Sequence, residues 1–211
     1  GQFITVTGIP SSGKSDFVDQ MVVGYNKRYN WKTAYASPEN VPTFLHAHKL
    51  MRKTWEGMPS KEDIGGEKWN KTADHCNANY FHIDMERYSL EAVLKKGAEL
   101  VKRKGIKCLV IDPFNKVRDI NAASDDVNRY TMDYLMKIEI FAKKYDVLVF
   151  VVAHPTKMYK NQKTGEIDEP TMYSIKGGGE WYDASYHGLL VHRDYEANTV
   201  KVKVLKCKFQ N

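Results

Sequence analysis

Eight residues near the start of the chain have the types and spacing that bind a chain of phosphates. Residues 8–15 read G-I-P-S-S-G-K-S and fit the P-loop pattern G-x-x-x-x-G-K-[ST]. Glycines at this spacing let backbone N–H groups surround phosphate oxygens, and the N-terminus of the following helix adds a favourable dipole. We expect the Lys14 ammonium to reach the β- and γ-phosphates and the Ser15 hydroxyl to bind Mg²⁺. The predicted nucleotide-binding residues of this loop are Gly8, Ser11, Ser12, Gly13, Lys14 and Ser15.

Two carboxylates are candidates to complete this site. Asp112 ends the hydrophobic run 108–111, where a second metal ligand is expected. The next residue is Pro113 and not a glutamate, so the carboxylate that activates water must come from elsewhere. Glu39, which follows the β-rich run 33–37, is the candidate because ligands collect at the carboxyl ends of parallel strands. The alternatives are a helix cap or turn for Asp112 and a solvated loop carboxylate for Glu39.

One histidine lies where it could sense the bound phosphates. His154 follows the most hydrophobic run, 147–152, and from there it could sense the γ-phosphate through a hydrogen bond. A histidine capped by the backbone is the alternative. The histidines and cysteine of the middle segment, His75, Cys76 and His82, match no usual zinc spacing and are interpreted as structural.

A sheet is needed to hold these residues, and the sequence predicts one. Short β-rich runs are found at residues 3–7, 33–37, 80–83, 107–111 and 147–152. The runs 109–111 and 147–152 are continuously apolar, which is typical of strands buried on both faces of a parallel sheet. Helices are predicted between the N-cap residue Ser89 and Gly105, and where apolar residues recur at helical spacing over 127–142. The pattern predicts an α/β fold with a mostly parallel central sheet flanked by helices.

The C-terminal part changes to an antiparallel pattern. Residues 187–191 and 199–209 read as strand, turn and strand, with valines and lysines alternating in the second strand. We expect this hairpin to close the sheet, and the polar segment 157–169 to be a mobile loop. Residues 1–211 are expected to form one domain, and a strand that begins almost at residue 1 indicates a segment of a longer polypeptide.

Composition limits the class of protein further. A chain of 211 residues with 42% hydrophobic content can bury one sizeable core. Since no apolar run is long enough to cross a bilayer and the N-terminus lacks the layout of a signal peptide, we expect a soluble, cytoplasmic protein without a membrane partner. Three scattered cysteines predict reduced thiols and not a disulfide framework. The net charge of +6 suits a polyanionic partner but does not require one.

Taken in order, the motifs resemble the RecA-like motor of the DnaB family of replicative helicases, in particular its phage primase-helicase and Twinkle branch. The N-terminal motifs that carry the resemblance are residues 8–15, 37–39, 109–112 and 151–154. Residues 174–181, followed by the strand 189–191 and Arg193, look like the family's DNA-binding loop and the strand after it. Residues 204–209 look like the strand whose basic residues act on a neighbouring subunit. The resemblance spans nearly the whole chain, and the C-terminal half makes it specific because many NTPases share the N-terminal motifs.

The resemblance implies a role for each matching residue of the nucleotide site. Lys14, Ser15 and Asp112 would bind ATP or a dNTP with Mg²⁺, the last two as metal ligands. Lys14 would also act in catalysis through its charge. Glu39 would be the catalytic carboxylate, and His154 would sense the phosphate.

The resemblance also assigns two lysines near the C-terminus to a neighbouring subunit's nucleotide. Lys206 and Lys208 are two residues apart on a predicted strand, so their side chains would project to the same side. The family usually has arginine at the position of Lys208, and lysine supplies charge without the bidentate fork. The trans-acting role would then be weaker or would depend on both lysines. A solvated strand end is the alternative.

A glycine-rich segment is the candidate for nucleic-acid contact. The resemblance implies that single-stranded DNA would be bound by Lys176, Gly177, Gly178, Gly179 and Arg193. Glycines let the main chain approach a phosphate backbone closely and offer N–H donors. Trp181 would stack on DNA or pack in the protein, and turn glycines without nucleic-acid contact are the alternative for the segment.

The leading hypothesis is a replicative DNA helicase motor driven by ATP or a dNTP. It would assemble as a homo-oligomeric ring, a hexamer, with single-stranded DNA passing loops around residues 157–183, and a primase domain or protein is a further candidate partner. The first alternative is a RecA/KaiC-like DNA-binding ATPase without unwinding activity. The second is a small-molecule or nucleotide kinase, against which the sequence shows no arginine-rich lid.

Overall fold

The computed structural model describes residues 1–55, 59–118, 127–156, 169–194 and 197–209. Its central feature is a seven-stranded sheet with the order β3-β2-β4-β5-β1-β6-β7. The strands are β1 (Gln2–Thr7), β2 (Lys32–Ala36), β3 (Tyr80–His82), β4 (Ile106–Ile111), β5 (Leu148–Val152), β6 (His187–Asp194) and β7 (Thr199–Cys207). All neighbouring strands are parallel except β6 and β7, which pair antiparallel. The predicted α/β fold with a mostly parallel sheet and a C-terminal hairpin is confirmed.

Helices cover both faces of the sheet. They are α1 (Lys14–Tyr29), α2 (Thr43–Thr54), α3 (Glu67–Asn79), α4 (Leu90–Lys104), α5 (Val127–Tyr145) and α6 (Gly178–Ala184). Ser89 caps α4 by accepting a hydrogen bond from the Ala92 N–H, and Gly105 ends that helix in a left-handed conformation, as predicted.

The core has two apolar layers because strand side chains alternate between the faces. Phe3, Val149 and Val151 face the layer that contains residues of α4 and α5. Ile4 and Phe150 face the layer that contains residues of α1 and α2. Helices packed on both sides explain why the central strands read as continuous apolar runs.

The outer hairpin differs from the central strands in its exposure. Val200, Val202 and Val204 of β7 are exposed, although they alternate with lysines as the sequence pattern predicts. Most of the predicted loop 157–169 lies outside the described residues, and Glu169 at its end forms an ion pair with Lys203. Within the described ranges, no helix combines the length and the apolar character that crossing a bilayer requires.

Candidate active site

The loop of residues 8–13 connects β1 to α1 and has a backbone that only certain residues can adopt. Gly8 has φ +152°, and a Cβ placed there would lie 2.2 Å from the carbonyl oxygen of Val191. Gly13 caps α1 with φ 92° in the left-handed region. Both positions therefore require glycine, one for close approach and one for its dihedral angle. The loop leads directly into the N-terminus of a 16-residue helix, where anions bind favourably.

Lys14 lies under this loop with its ammonium in contact with main-chain oxygens. Its Nζ donates to the carbonyl oxygens of Gly8 at 2.9 Å and Ile9 at 2.8 Å, and the residue is only 4% exposed. Burial lowers the pKa of Lys14 to about 8, against the opposing effect of the Asp112 and Glu39 carboxylates. A phosphate beside this ammonium would favour its charged form and restore the pKa.

Asp112 and Ser15 lie together at the carboxyl end of β4. Burial raises the pKa of Asp112, and a hydrogen bond from the Ser15 hydroxyl opposes that rise. A carboxylate beside a hydroxyl is an oxygen-only donor set that suits Mg²⁺. In the same region the buried hydroxyls of Thr7 and Ser12 have no hydrogen-bond partner among the described residues. The residues present therefore fit a bound nucleotide with its metal ion.

Glu39 lies on the turn that leads from β2 to α2. The start of this turn is held by Ser37, whose hydroxyl donates to the Asp112 carbonyl oxygen at 3.0 Å and accepts from the Asn40 amide at 2.7 Å. The Glu39 charge acts on the pKa values of Lys14, Asp112 and His154. The structure thus brings these four residues together at one edge of the sheet, as expected for residues that follow parallel strands.

His154 follows β5 at the same edge. Its Nδ1 is buried and has no hydrogen-bond partner among the residues that the structure describes. Burial lowers the pKa of His154, the Lys14 ammonium lowers it further, and Glu39 opposes both effects. The ring is therefore neutral at neutral pH and able to exchange a hydrogen bond with a phosphate oxygen.

Sequence reasoning passed over Asp19, which is buried on α1 one turn after Ser15. Its carboxylate contributes to the raised pKa of Asp112, so its charge reaches the proposed metal-binding residues. The spacing of four residues from Ser15 is the signal that could have pointed to it, because such residues share a helix face.

The glycine-rich segment is held by packing on one side and exposed on the other. Gly177 caps α6 with φ 82°, and a Cβ there would lie 2.5 Å from the Thr131 hydroxyl. A Cβ on Gly178 would lie 2.3 Å from the Tyr173 carbonyl oxygen, whereas Gly179 is open. Lys176 is exposed next to this cap. Gly178 and Gly179 lie within the first turn of α6, so a helix start and not an extended loop carries them.

Trp181 packs inside the protein. Its side chain is fully buried, its ring meets the Phe114 ring edge-on at 4.9 Å, and its Nε1–H donates to the Lys176 carbonyl oxygen at 3.0 Å. The residue therefore anchors the main chain at Lys176 and does not offer a stacking surface.

Arg193 lies at the same edge of the sheet as the P-loop. Leu190 pairs with Thr7, the last residue of β1, and Arg193 extends three residues further along β6. The side chain is exposed.

Lys206 and Lys208 lie toward the other end of the hairpin. Lys206 pairs with Gly188 near the start of β6, and its Nζ donates to the carbonyl oxygens of Tyr182 and Asp183 at the end of α6. The Lys208 ammonium lies 4.5 Å from the centre of the Tyr186 ring. The structure does not bring these lysines to the Lys14 site of their own chain.

Two curated proteins are similar in sequence to this chain. No protein-family model matches it. It is 31% identical over 214 residues to the Twinkle homolog protein, chloroplastic/mitochondrial, of Arabidopsis thaliana, covering 94% of this chain and 29% of that protein. It is 23% identical over 221 residues to the DNA helicase/primase of Enterobacteria phage T3, covering 99% of this chain and 39% of that protein. The chain thus spans roughly a third of the length of the curated relatives it matches.

Solved structures with a similar fold include an ATPase domain and a DnaB-like replicative helicase. One solved ATPase domain superposes with a TM-score of 0.74 at 16% identity, over 98% of this chain and 77% of that chain. A DnaB-like replicative helicase superposes with a TM-score of 0.72 at 16% identity, over 98% of this chain and 54% of that chain. Likeness at this identity concerns the fold.

Proposed function

Because the chain has the fold of a DnaB-type helicase ATPase domain and is related in sequence to a Twinkle homologue, we propose that residues 1–211 form the motor domain of a replicative DNA helicase. It would hydrolyse ATP or a dNTP with Mg²⁺. The observation that carries this proposal is the meeting of Lys14, Asp112, Glu39 and His154 at one edge of the sheet.

Each of these residues has a chemical task that its surroundings support. Lys14 binds the terminal phosphates through a partly desolvated ammonium, and charge interactions are stronger where water is excluded. Ser15 and Asp112 would hold Mg²⁺, which would supply positive charge to neutralise the phosphates. Glu39 orients or deprotonates the attacking water, and neutral His154 contacts the γ-phosphate.

The proposed partners are further copies of this chain and single-stranded DNA. A hexameric ring would let Lys206 and Lys208 reach a neighbour's nucleotide. Their distance from the Lys14 site of their own chain supports that arrangement. The DNA backbone would contact Lys176, Gly177, Gly178, Gly179 and Arg193, and both charged side chains are exposed. The phage relative is named a helicase/primase, so a primase domain or protein belongs to the proposal as a further partner.

The first test is DNA-stimulated NTP hydrolysis by the Lys14→Ala variant. Loss of the ammonium should reduce turnover by at least about a hundredfold, since this charge serves both binding and catalysis. Lys27→Ala, an exposed lysine on the same helix, is the matched control and should hydrolyse like wild type. Unaltered turnover in Lys14→Ala would refute the nucleotide assignment.

Two further assays separate the alternatives. Strand displacement distinguishes a helicase from a RecA/KaiC-like ATPase that binds DNA without unwinding it. Transfer of phosphate to a small acceptor in the absence of DNA would favour a kinase. Binding to single strands should weaken with salt, with a log–log slope of about −0.7 per neutralised phosphate.

A further inference from the structure

A buried chain of polar side chains connects α1, α2 and β3 behind the proposed active site. The Asp19 carboxylate lies 3.0 Å from His46 Nε2, and His46 Nδ1 lies 2.8 Å from His82 Nε2. Asp19 and His46 are each 2% exposed. Polar side chains with so little access to water are costly to bury unless they satisfy one another, so this arrangement requires its hydrogen bonds.

The chemistry of a carboxylate fixes the direction of the first of these hydrogen bonds. An ionised Asp19 only accepts, so His46 Nε2–H donates to it. The other ring nitrogen of His46, Nδ1, shares its hydrogen bond with His82 Nε2, and the tautomers of the two rings decide which of them donates. Burial lowers the pKa of His82 to about 4, with a further contribution from the neighbouring His46, so His82 is neutral at neutral pH. Hydrogen bonds at both of its nitrogens hold the His46 ring in one orientation.

One aromatic ring on β2 packs against both imidazoles. The Tyr35 ring meets His46 edge-on at 4.7 Å and stacks on His82 at 5.8 Å. The Lys49 ammonium also approaches Asp19, with its Nζ 3.9 Å from the second carboxylate oxygen. Four elements of the fold, α1, α2, β2 and β3, therefore meet at this cluster.

These elements are the ones that flank the water-activating carboxylate. Tyr35 is two residues before Ser37, where the turn that carries Glu39 begins, and α2 starts shortly after that turn. Asp19 lies one turn after Ser15 on the helix that follows the P-loop. The cluster thus ties the helix of the phosphate site to both ends of the Glu39 turn.

We propose that Asp19, His46 and His82 are positioning residues that hold Glu39 at its working distance from the nucleotide. This inference rests on the proposed function of the site. It assigns His46 the central part, because His46 alone contacts both other members. Without it, the P-loop still binds nucleotide, but the catalytic carboxylate is no longer fixed relative to the phosphates.

The experiment compares His46→Gln with the control His48→Gln in the intact protein. His48 is an exposed histidine on the same helix. In His46→Gln we expect kcat to fall about tenfold or more while the Kd for a nonhydrolysable nucleotide changes by less than about twofold, the signature of an interaction that serves the transition state. His48→Gln should match wild type in both. On a Glu39→Gln background, His46→Gln should have no further effect, because its action runs through Glu39.

A second pair of variants separates the hydrogen bond from simple destabilisation. Asp19→Asn keeps an acceptor for His46 Nε2–H and should retain kcat within about threefold, whereas Asp19→Ala should lose as much as His46→Gln. Equal losses in both Asp19 variants would overturn the proposal, as would parallel losses of binding, kcat and thermal stability in His46→Gln. If Lys14→Ala hydrolyses as fast as wild type, the proposed function fails instead, and the two failures are distinguishable.

Discussion

The P-loop edge of the sheet and the outer hairpin differ in the burial of their charged residues. At the P-loop edge, Lys14 and Asp112 are buried, and desolvation shifts their pKa values in opposite directions. On the hairpin, Lys201 pairs with Asp194 at 3.1 Å and Lys203 pairs with Glu169, all at exposed or half-exposed positions. The first region is preorganised within one chain, whereas the proposed task of the second depends on a neighbouring copy.

We expect substitutions at the P-loop edge to change hydrolysis, nucleotide binding or stability within a single chain. Substitutions on the hairpin should change turnover only where several copies assemble. The largest expected effect comes from Glu39→Gln. Removing the carboxylate while keeping the shape should slow single-turnover hydrolysis by about a hundred- to a thousandfold with nucleotide affinity retained, because a general base contributes on this scale. Glu62→Gln, an exposed loop carboxylate outside the site, is the control. Normal turnover in Glu39→Gln would remove Glu39 from the mechanism.

The second effect concerns the shape of the loop. Gly8→Ala forces a Cβ to within 2.2 Å of the Val191 carbonyl oxygen and should destabilise the fold by about 2–3 kcal/mol and weaken nucleotide binding. Gly24→Ala, in the middle of α1 with no atom within 4 Å of the new Cβ, should instead stabilise by about 0.5–1 kcal/mol. Urea unfolding measures both, and equal stabilities would contradict the close approach.

The third effect is a dependence on pH: as the pH rises, nucleotide affinity should fall while the contribution of Lys14 to the free energy of unfolding should rise. Because the pKa of Lys14 is about 8, nucleotide affinity should fall above that pH, by up to about tenfold per unit. The unfolded chain keeps this proton up to about pH 10.5, so the cost of burying the ammonium is present below pH 8 and is relieved between pH 8 and 10.5. This group alone therefore makes the free energy of unfolding rise over that interval.

Titration calorimetry from about pH 7 to about pH 9.5 measures the binding part of this prediction. Lys14→Arg keeps its charge throughout and should show no loss of affinity with pH, whatever its absolute affinity. A wild-type affinity that stays constant over that whole range would show that the ammonium is not desolvated.

The smallest effect is expected on the hairpin. Lys206→Ala should leave unfolding stability within about 0.5 kcal/mol and nucleotide affinity unchanged, since its ammonium donates to carbonyl oxygens at the end of α6 and lies away from the Lys14 site of its own chain. Turnover should fall only about three- to fivefold, and only at concentrations where the protein assembles, because lysine lacks the bidentate fork. Lys201→Ala serves as the control. A loss of turnover in the dilute monomer would contradict the proposed action of Lys206 on a neighbouring subunit.

Local sequence patterns predicted most of the fold. The strand runs agree with β1 to β5 to within one residue at either end, and Ser89 and Gly105 bound α4 as predicted. Helices α2, α3 and α6 were not predicted. The sequence of α3 is mostly polar and buries only Cys76 and Asn79, so it lacks the apolar stripe from which helices are recognised.

The sequence alone pointed to those parts of the candidate site that lie within a short motif. Glycine spacing identifies the P-loop, and a carboxylate after an apolar run identifies Asp112, because both features are set by residues close in sequence. Glu39 and His154 depended on resemblance and on their places after strands. For Trp181 the sequence left stacking and packing open, and burial of the whole ring against Phe114 decided it.

The sequence by itself determined the phosphate loop, the strand and helix periods and the antiparallel hairpin, since each follows from backbone preferences of neighbouring residues. Only the tertiary structure decided which distant side chains meet. Asp19 and His46 are 27 positions apart and His46 and His82 are 36, and no spacing rule connects them. They meet because the sheet places β3 beside β2 and β2 beside β4, while α1 and α2 pack over the same face. Burial then makes each polar group require the others.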